Sequence, residues 1–438
     1  HEMLRESLAR EAREEGRWAS MHAACAAMLG DREGRGTRER LGRHLLEAGE
    51  PALALEPLLA GARQRIASGD YDLAHILLQD RELAMERMGC ADSDERWGQG
   101  WMAQNWLARV RGELDEAEEC ASKTVQAAEA HGWGEIRGVA LREQGRLSRL
   151  RGRPKDAWIH LLKLELIAKE QDSEPLEASC RIEMGWVQVG RGHLESATLS
   201  FRAALRSYEN LDIALGMADA HLGLGRAFRH GERFEDALGH YEAARECFLR
   251  VGSRSGSAEC RNAQSAVARF MDDLVTAEAH ARAALSLFGA IGSGFTAQAR
   301  MSLGLVLVEK QRFKEGWACI ESGLTTFVGQ GRRSMMALAH VSLLPCAAAL
   351  HAWKIWETHI RQATSLLEST SFVDLDIARM ATLGGDMARA QGRTEEAMAA
   401  YGVALGQWRS LGQVRLAGEV TDALEVLGSK LKTDPNQR

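Results

Sequence analysis

Apolar positions recur at helical intervals from the start of the chain. Leu4, Leu8 and Ala12, then Met21, Cys25 and Met28, predict two short helices over 2–15 and 17–29. The charged, glycine-rich run Gly30-Asp31-Arg32-Glu33-Gly34-Arg35-Gly36 predicts a boundary. A third helix follows, with Leu41, Leu45 and Leu46 on one side, and ends near Gly49. Pro51 suits the first turn of the next helix, where its missing N–H costs nothing. From there the pattern is helix, short turn, helix without pause. Gly69-Asp70 separates two helices, the second carrying Leu73, Ala74, Leu77 and Leu78, and Gly89 with Asp92-Ser93-Asp94 closes the pair.

A fixed spacing then takes over. A glycine in one helix is followed twelve residues later by an alanine, and the pair recurs every forty residues: Gly145/Ala157, Gly185/Ala197, Gly225/Ala237 and Gly385/Ala397. Ala117 and Ala277 keep the beat, with Asn105 and Ser265 in the glycine slots, and Gly304/Gly316 arrives one residue early. Each first helix (helix A) ends in a glycine turn, as at Gly112, Gly152, Gly192 and Gly392, where a left-handed residue can stop it. Each second helix (helix B) carries the alanine one turn in. A small residue follows seven later at Ala204, Ala244, Ala284, Gly323 and Ala404, often with an aromatic between, as at Phe201, Tyr241 and Tyr401. Small residues where two helices cross let their axes approach to about 8–10 Å. One such pair cannot bury its apolar face alone, but a stack can.

One cycle departs from the rule. Pro345 falls within the helix predicted over 333–350, and Trp356 fills the alanine slot. An interior proline removes a backbone bond at a cost of about 3 kcal/mol, so a kink or break is expected there.

Composition changes little in this picture. At 438 residues the chain would make two to four ordinary domains, but a repeat array escapes that count. Only 6 prolines and 4 tyrosines against abundant Ala, Leu, Arg and Glu favour helix over strand. A net charge of -6 without like-charge blocks argues against nucleic acid, and no apolar run is long enough to span a membrane. The eight cysteines are scattered, none in a CxxC pair, as expected of thiols in a reducing cytoplasm.

Gly185, Ala197, Phe201 and Ala204 fill four slots that Gly225, Ala237, Tyr241 and Ala244 fill again, as do Gly385, Ala397, Tyr401 and Ala404. This pattern resembles the tetratricopeptide repeat over roughly residues 38–430, with longer helices than the usual repeat of about 34 residues. The resemblance implies an all-α, right-handed superhelix of about nine to ten antiparallel helix pairs, with the A helices on a concave groove. It implies a protein- or peptide-binding role. The stretch His1 to Leu8, and Glu39 to Glu50 with the Ala-Leu run after it, also resembles a junction in large bacterial regulators. There a STAND-type ATPase, sometimes with a serine/threonine kinase, leads into such repeats. The chain begins in mid-pattern at His1, so it is expected to be a fragment whose N-terminal domains lie upstream. The domain organisation expected is 1–36 as a short helical segment, 37–430 as the superhelix and 431–438 as a disordered tail.

The search for chemistry yields one pattern. The G-x-G stretches at Gly223 and Gly329 follow no strand and complete no phosphate-binding motif, and no Walker motif is present. No cofactor and no metal are expected. His340, Cys346 and His351 lie close in sequence but lack a completing carboxylate or second cysteine. Arginine, by contrast, follows the beat: Arg109, Arg149, Arg229, Arg269 and Arg389 stand four residues after the glycine slot, and Trp106, Arg146, Trp186 and Arg226 stand one after it. By the resemblance these positions face the groove. Trp106, Arg109, Arg146, Arg149, Trp186, Arg226, Arg229 and Arg269 are the candidate ligand-binding residues. Arginine offers planar bidentate bonds to carboxylates, and tryptophan an apolar or cation–π face. The same arginines also suit helix C-termini and pairing with neighbouring Asp or Glu.

The expectation is a non-catalytic binding scaffold, the cytoplasmic sensor or regulatory arm of a bacterial signalling protein. Its partners would be a protein or peptide of acidic character and the N-terminal domains of the same chain. A receptor for a short peptide or small molecule, and an enzyme built on a helical solenoid, are the alternatives.

Overall fold

The computed structural model describes residues 2–30, 32, 34 and 36–433. Most of the predicted glycine-rich break lies within them, but Asp31, Glu33 and Arg35 do not, and neither do 434–438 of the expected tail. Among the described residues there are 22 helices and no strand. They are α1 (Glu2–Glu14), α2 (Trp18–Gly30), α3 (Thr37–Glu47), α4 (Pro51–Ser68), α5 (Tyr71–Arg87), α6 (Arg96–Arg111), α7 (Leu114–His131) and α8 (Gly134–Leu150). Then come α9 (Pro154–Glu170), α10 (Glu174–Gly190), α11 (Leu194–Asn210), α12 (Ala214–His230), α13 (Phe234–Arg250), α14 (Arg254–Phe270) and α15 (Leu274–Ala290). The last are α16 (Thr296–Glu309), α17 (Phe313–Gly329), α18 (Arg333–Ala349), α19 (Trp353–Thr370), α20 (Leu375–Ala390), α21 (Thr394–Ser410) and α22 (Val414–Thr433). Even-numbered helices from α4 to α20 are the A helices, and each packs on the B helix that follows. Helix α22 runs to Thr433, so the first three residues of the expected tail are helical.

The chain divides into two compact units, His1–Ala140 and Leu141–Arg438, with the division inside α8. In the first unit α3, α4 and α5 pack in sequence around Leu58, Leu59, Ala62 and Leu77. Arg65 of α4 forms an ion pair with Glu39 of α3 there. The second unit holds the regular cycles.

Close packing at the glycine slot is visible at Gly225, where an added Cβ would stand 2.5 Å from the Tyr241 ring, and at Gly185, where it would stand 2.7 Å from Phe201. The slot therefore needs glycine because the side chain one turn after the alanine is large. Where the slot is not glycine, the arrangement inverts. Asn105 Nδ2 donates to the Ala117 carbonyl at 2.7 Å, and Ser265 Oγ donates to the Ala277 carbonyl at 2.7 Å. One turn on, those cycles carry alanine (Ala121 and Ala281), fully buried, in place of the aromatic. Two solutions thus fill the same space: glycine under a ring, or a small polar residue bonded back to the alanine's carbonyl. Both leave the crossing filled, and in the second the side-chain donor is satisfied.

The A-helix turns use the left-handed residue as expected. At Gly152 (φ 71°) the Gly152 N–H donates to Arg149 O at 2.9 Å and the Arg153 N–H to Ser148 O at 2.8 Å, closing the helix end. The same conformation occurs without glycine after other A helices, at Glu232, Asp272, Gln311 and His351. Glycine is thus only one way to end these helices.

The break expected at Pro345 does not occur: α18 runs unbroken through it. The ring lies in the last turns of the helix and is fully enclosed, and α20 comes close at Gly384, where a Cβ would stand 3.0 Å from Leu344 Cβ and 3.7 Å from Pro345 Cδ. Close packing against that bare backbone offsets the lost hydrogen bond. Trp356 is 1% exposed in the alanine slot, within a core that includes Ile360, Leu343 and Met380.

Candidate functional site

Within the second unit the chain returns on itself. The segment joining α19 to α20 reaches residues far earlier in sequence. The Val373 N–H donates to the Gly190 carbonyl at 2.9 Å, and Phe372 packs beside Gly190. The turn after α8 meets the second half of the unit as well, because a Cβ on Gly152 would lie 3.0 Å from Ser334 Oγ. The second-unit part of α8 and the A helices from α10 to α20 consequently face one shared interior.

Six of the eight sequence candidates lie there. Arg146 donates to Glu183 at 2.6 Å, and Arg149 reaches the other oxygen of the same carboxylate at 3.4 Å while lying 5.6 Å over the Trp186 ring. Burial disfavours the charge on Arg146, but Glu183, Glu143 and Asp219 more than offset it and hold its pKa above the usual value. For Arg149 burial wins: with Arg146 and Arg226 repelling it and only Glu183 in support, its pKa is lowered. Arg226 donates to Asp374 at 3.0 Å across 148 residues of sequence. Arg229, 3% exposed, donates to Asp376 at 3.2 Å and to His230 Nε2 at 2.9 Å. A guanidinium only donates, so that ring nitrogen is an acceptor and His230 is neutral. Burial, then the charge of Arg229, pushes its pKa well below the ordinary value. Arg269, 1% exposed, pairs with both Glu309 and Asp376. Asp374 in turn caps α20 by accepting from the Asp376 N–H at 2.8 Å, and Gln407 accepts from its own N–H at 2.9 Å.

The arginine ladder is thus met along most of its length by carboxylates of the same chain. Trp106 and Arg109 stand on α6 in the first unit, both half-buried. Arg389, on α20, pairs with Asp386 at 3.4 Å on an exposed surface. His340, Cys346 and His351 do not converge. His340 faces His359 Nδ1 to Nδ1 at 2.9 Å, Cys346 is enclosed in the core, and His351 supplies the left-handed residue after α18. Among the described residues no three His, Cys, Asp or Glu side chains are placed to hold a metal, and no helix is long and apolar enough to cross a membrane.

A small cavity of about 60 Å³ opens on the shared interior. Trp186, Arg226, Glu259, Gln298, Met301 and Met335 are among its lining residues, contributed by α10, α12, α14, α16 and α18. Two residues here carry no signal in the repeat: Gln298 lines the cavity, and Arg332 reaches it only through its bond to Gln298. Gln298 follows no repeated motif. Arg332 precedes α18 and lies outside the positions that carry the ladder, although the Gly331-Arg332 turn marks where α17 ends.

Residues 182–248 match the family model described as tetratricopeptide repeat. No curated protein matches the sequence. The crystal structure of a Rap protein complexed with competence and sporulation factor superposes with a TM-score of 0.60 at 14% identity, over 83% of this chain and 99% of that chain. The Rap conjugation gene regulator of the plasmid pLS20, in complex with the Phr* peptide, superposes at 0.53 with 14% identity, over 84% and 98%. A Pyrococcus horikoshii STAND protein with a tetratricopeptide repeat sensor gives a TM-score of 0.40 at 11% identity, over 93% of this chain and 55% of that chain. The superpositions above 0.5 share the fold with this chain, an all-α solenoid, and the repeats matched by the tetratricopeptide model are α10 to α13, in register with the glycine–alanine beat.

Proposed function

We propose that the chain is a non-catalytic scaffold whose second unit takes a peptide segment against the inner face of its A helices. The cavity at Trp186, Arg226, Gln298 and Met335 carries this reading, because it joins apolar side chains and guanidinium donors from five A helices at one place. The two Rap proteins of similar fold support it, since one is complexed with competence and sporulation factor and the other with the Phr* peptide. A partner acidic along its length fits less well than the sequence suggested. Glu183, Asp374, Asp376 and Glu309 already neutralise Arg146, Arg226, Arg229 and Arg269. Apolar side chains seated on Met301, Met335 and Trp186, with acidic groups confined to the cavity, fit better. Service as the cytoplasmic sensor arm of a larger bacterial signalling protein, with N-terminal domains responding to the occupied solenoid, follows from the junction-like sequence.

Selection from a random peptide library on the purified chain tests this. A consensus should emerge whose binding falls at least tenfold in Met335→Glu, which puts a charge into the apolar wall. Absence of any consensus, or equal binding by the variant, overturns it.

A further inference from the structure

Arg332 is 5% exposed, yet among the described residues it forms no ion pair with a carboxylate. Its one side-chain hydrogen bond runs from Nη2 to Gln298 Oε1 at 3.4 Å, too long to be strong, and its Nε is buried without a partner. The guanidinium lies 5.3 Å from the centre of the Phe327 ring, which compensates only part of a lost hydration shell. Burial lowers its pKa to about 10, helped by repulsion from Arg149 and Arg226 and opposed by Glu259. Arg149 adds a second buried Nε without a partner, with Glu183 shared between it and Arg146. The other interior arginines of this unit, Arg229 and Arg269, are held by carboxylates. Buried cations are ordinarily paired, and a polar group left over in this way calls for a partner. Arg332 and Arg149 do not themselves line the cavity, but Arg332 stands directly behind its wall, because the Gln298 that accepts from it lines the cavity together with Arg226.

We propose that Arg332, with Arg149 and Arg226 beside it, is a receptor for a single carboxylate that enters the cavity and displaces the Gln298 carbonyl from Arg332. The donor fork matches a carboxylate's two oxygens. Met301, Leu305 and Leu338 line the cavity and supply an apolar wall for a short aliphatic stem. A phosphate dianion fits less well, since Glu259 lines the same space. The carboxylate is that of the peptide proposed above, either its C-terminus or an acidic side chain. The inference rests on that reading for the ligand's source, but not for the chemistry of the site.

Butanoate is the probe, with butanamide as its neutral isostere and inorganic phosphate alongside, each followed by thermal unfolding of the whole chain at low ionic strength. Butanoate near saturation should raise Tm by about 2–3 °C over butanamide. Arg332→Met should abolish that difference, and Glu259→Gln should enlarge it, which also decides the matter should the arginine variant not fold. A butanoate effect absent from the wild type, retained in Arg332→Met, unchanged or reduced in Glu259→Gln, or exceeded by phosphate overturns the proposal. Peptides from the library selection, made with an amidated C-terminus or with Asp and Glu replaced by Asn and Gln, then separate the two sources. A butanoate failure alongside intact peptide selection leaves the scaffold reading standing. The converse leaves an anion site without a peptide.

Discussion

The cycle of α12 and α13 and the cycle of α18 and α19 occupy equivalent places in the repeat but solve its packing in opposite ways. The first sets Gly225, Ala237 and Tyr241 at the crossing, two small residues under one ring. The second sets Leu344, Trp356 and Ile360 in the same slots, and the neighbouring helix yields instead at Gly384. Helix α12 also presents Arg226 and Arg229, while the segment after α19 and the first turn of α20 bring Asp374 and Asp376 back to meet them. The irregular cycle is therefore the place where the unit returns to its own earlier repeats. A repeat motif constrains the summed volume of an interface more than the residue at any one slot.

The sharpest way to break the comparison is to make the second cycle resemble the first. Trp356→Ala restores the repeat's preferred residue, yet it should destabilise the chain by about 3–5 kcal/mol, because it empties the largest side chain of that core. A gain in urea midpoint would mean the motif, not the local volume, governs. Asp376→Ala should cost about 2–3 kcal/mol, because Arg229 and Arg269 lose their shared buried carboxylate and keep only Asp374 at 3.8 Å and Glu309. A midpoint within error of wild type would show that return contact to be dispensable. The mirror change, Ala237→Leu, should cost about 1–3 kcal/mol by overpacking a fully buried crossing. Neutral behaviour would place the helix crossing elsewhere.

The smallest effect concerns a pair the two cycles share. His221 faces His240 at 3.0 Å in the first, and His340 faces His359 at 2.9 Å in the second. Burial, then His359, lowers His340 to about 4, against 6.5 for a free imidazole. Between those values the unfolded chain binds the proton and the folded chain does not, so stability falls as pH drops from about 6.5 towards 4. His340→Asn should flatten that slope between pH 7 and 5 more than His221→Asn does. An unchanged slope in urea unfolding at the two pH values would remove His340 from the account.

Much of the fold could be read from the order of residues alone. The interval between Gly185 and Ala197 marks a helix crossing because small residues at a fixed local spacing have few other uses. The turn at Gly152 was legible for the same reason, since helix termination is decided within a few residues. The unbroken helix through Pro345 was not legible. Its tolerance depends on Gly384, which a helix and two turns separate from it. The candidate site was half legible. The arginines keep the beat and share the interior, but what they face does not follow the beat at all.

The sequence by itself determined the helices, their pairing and the slots at which they cross, because each depends on residues close along the chain and repeats often enough to be counted. The tertiary structure alone decided which charges meet. Arg226 finds Asp374 at 148 residues' distance and Arg269 finds Asp376 at 107, through a return of the solenoid that no local interval encodes. The same return decided that Arg332, which lies off the ladder, is left inside without a carboxylate. An ion pair is fixed by where the whole array curves, and that curvature is the sum of many small interface volumes rather than the property of any one repeat.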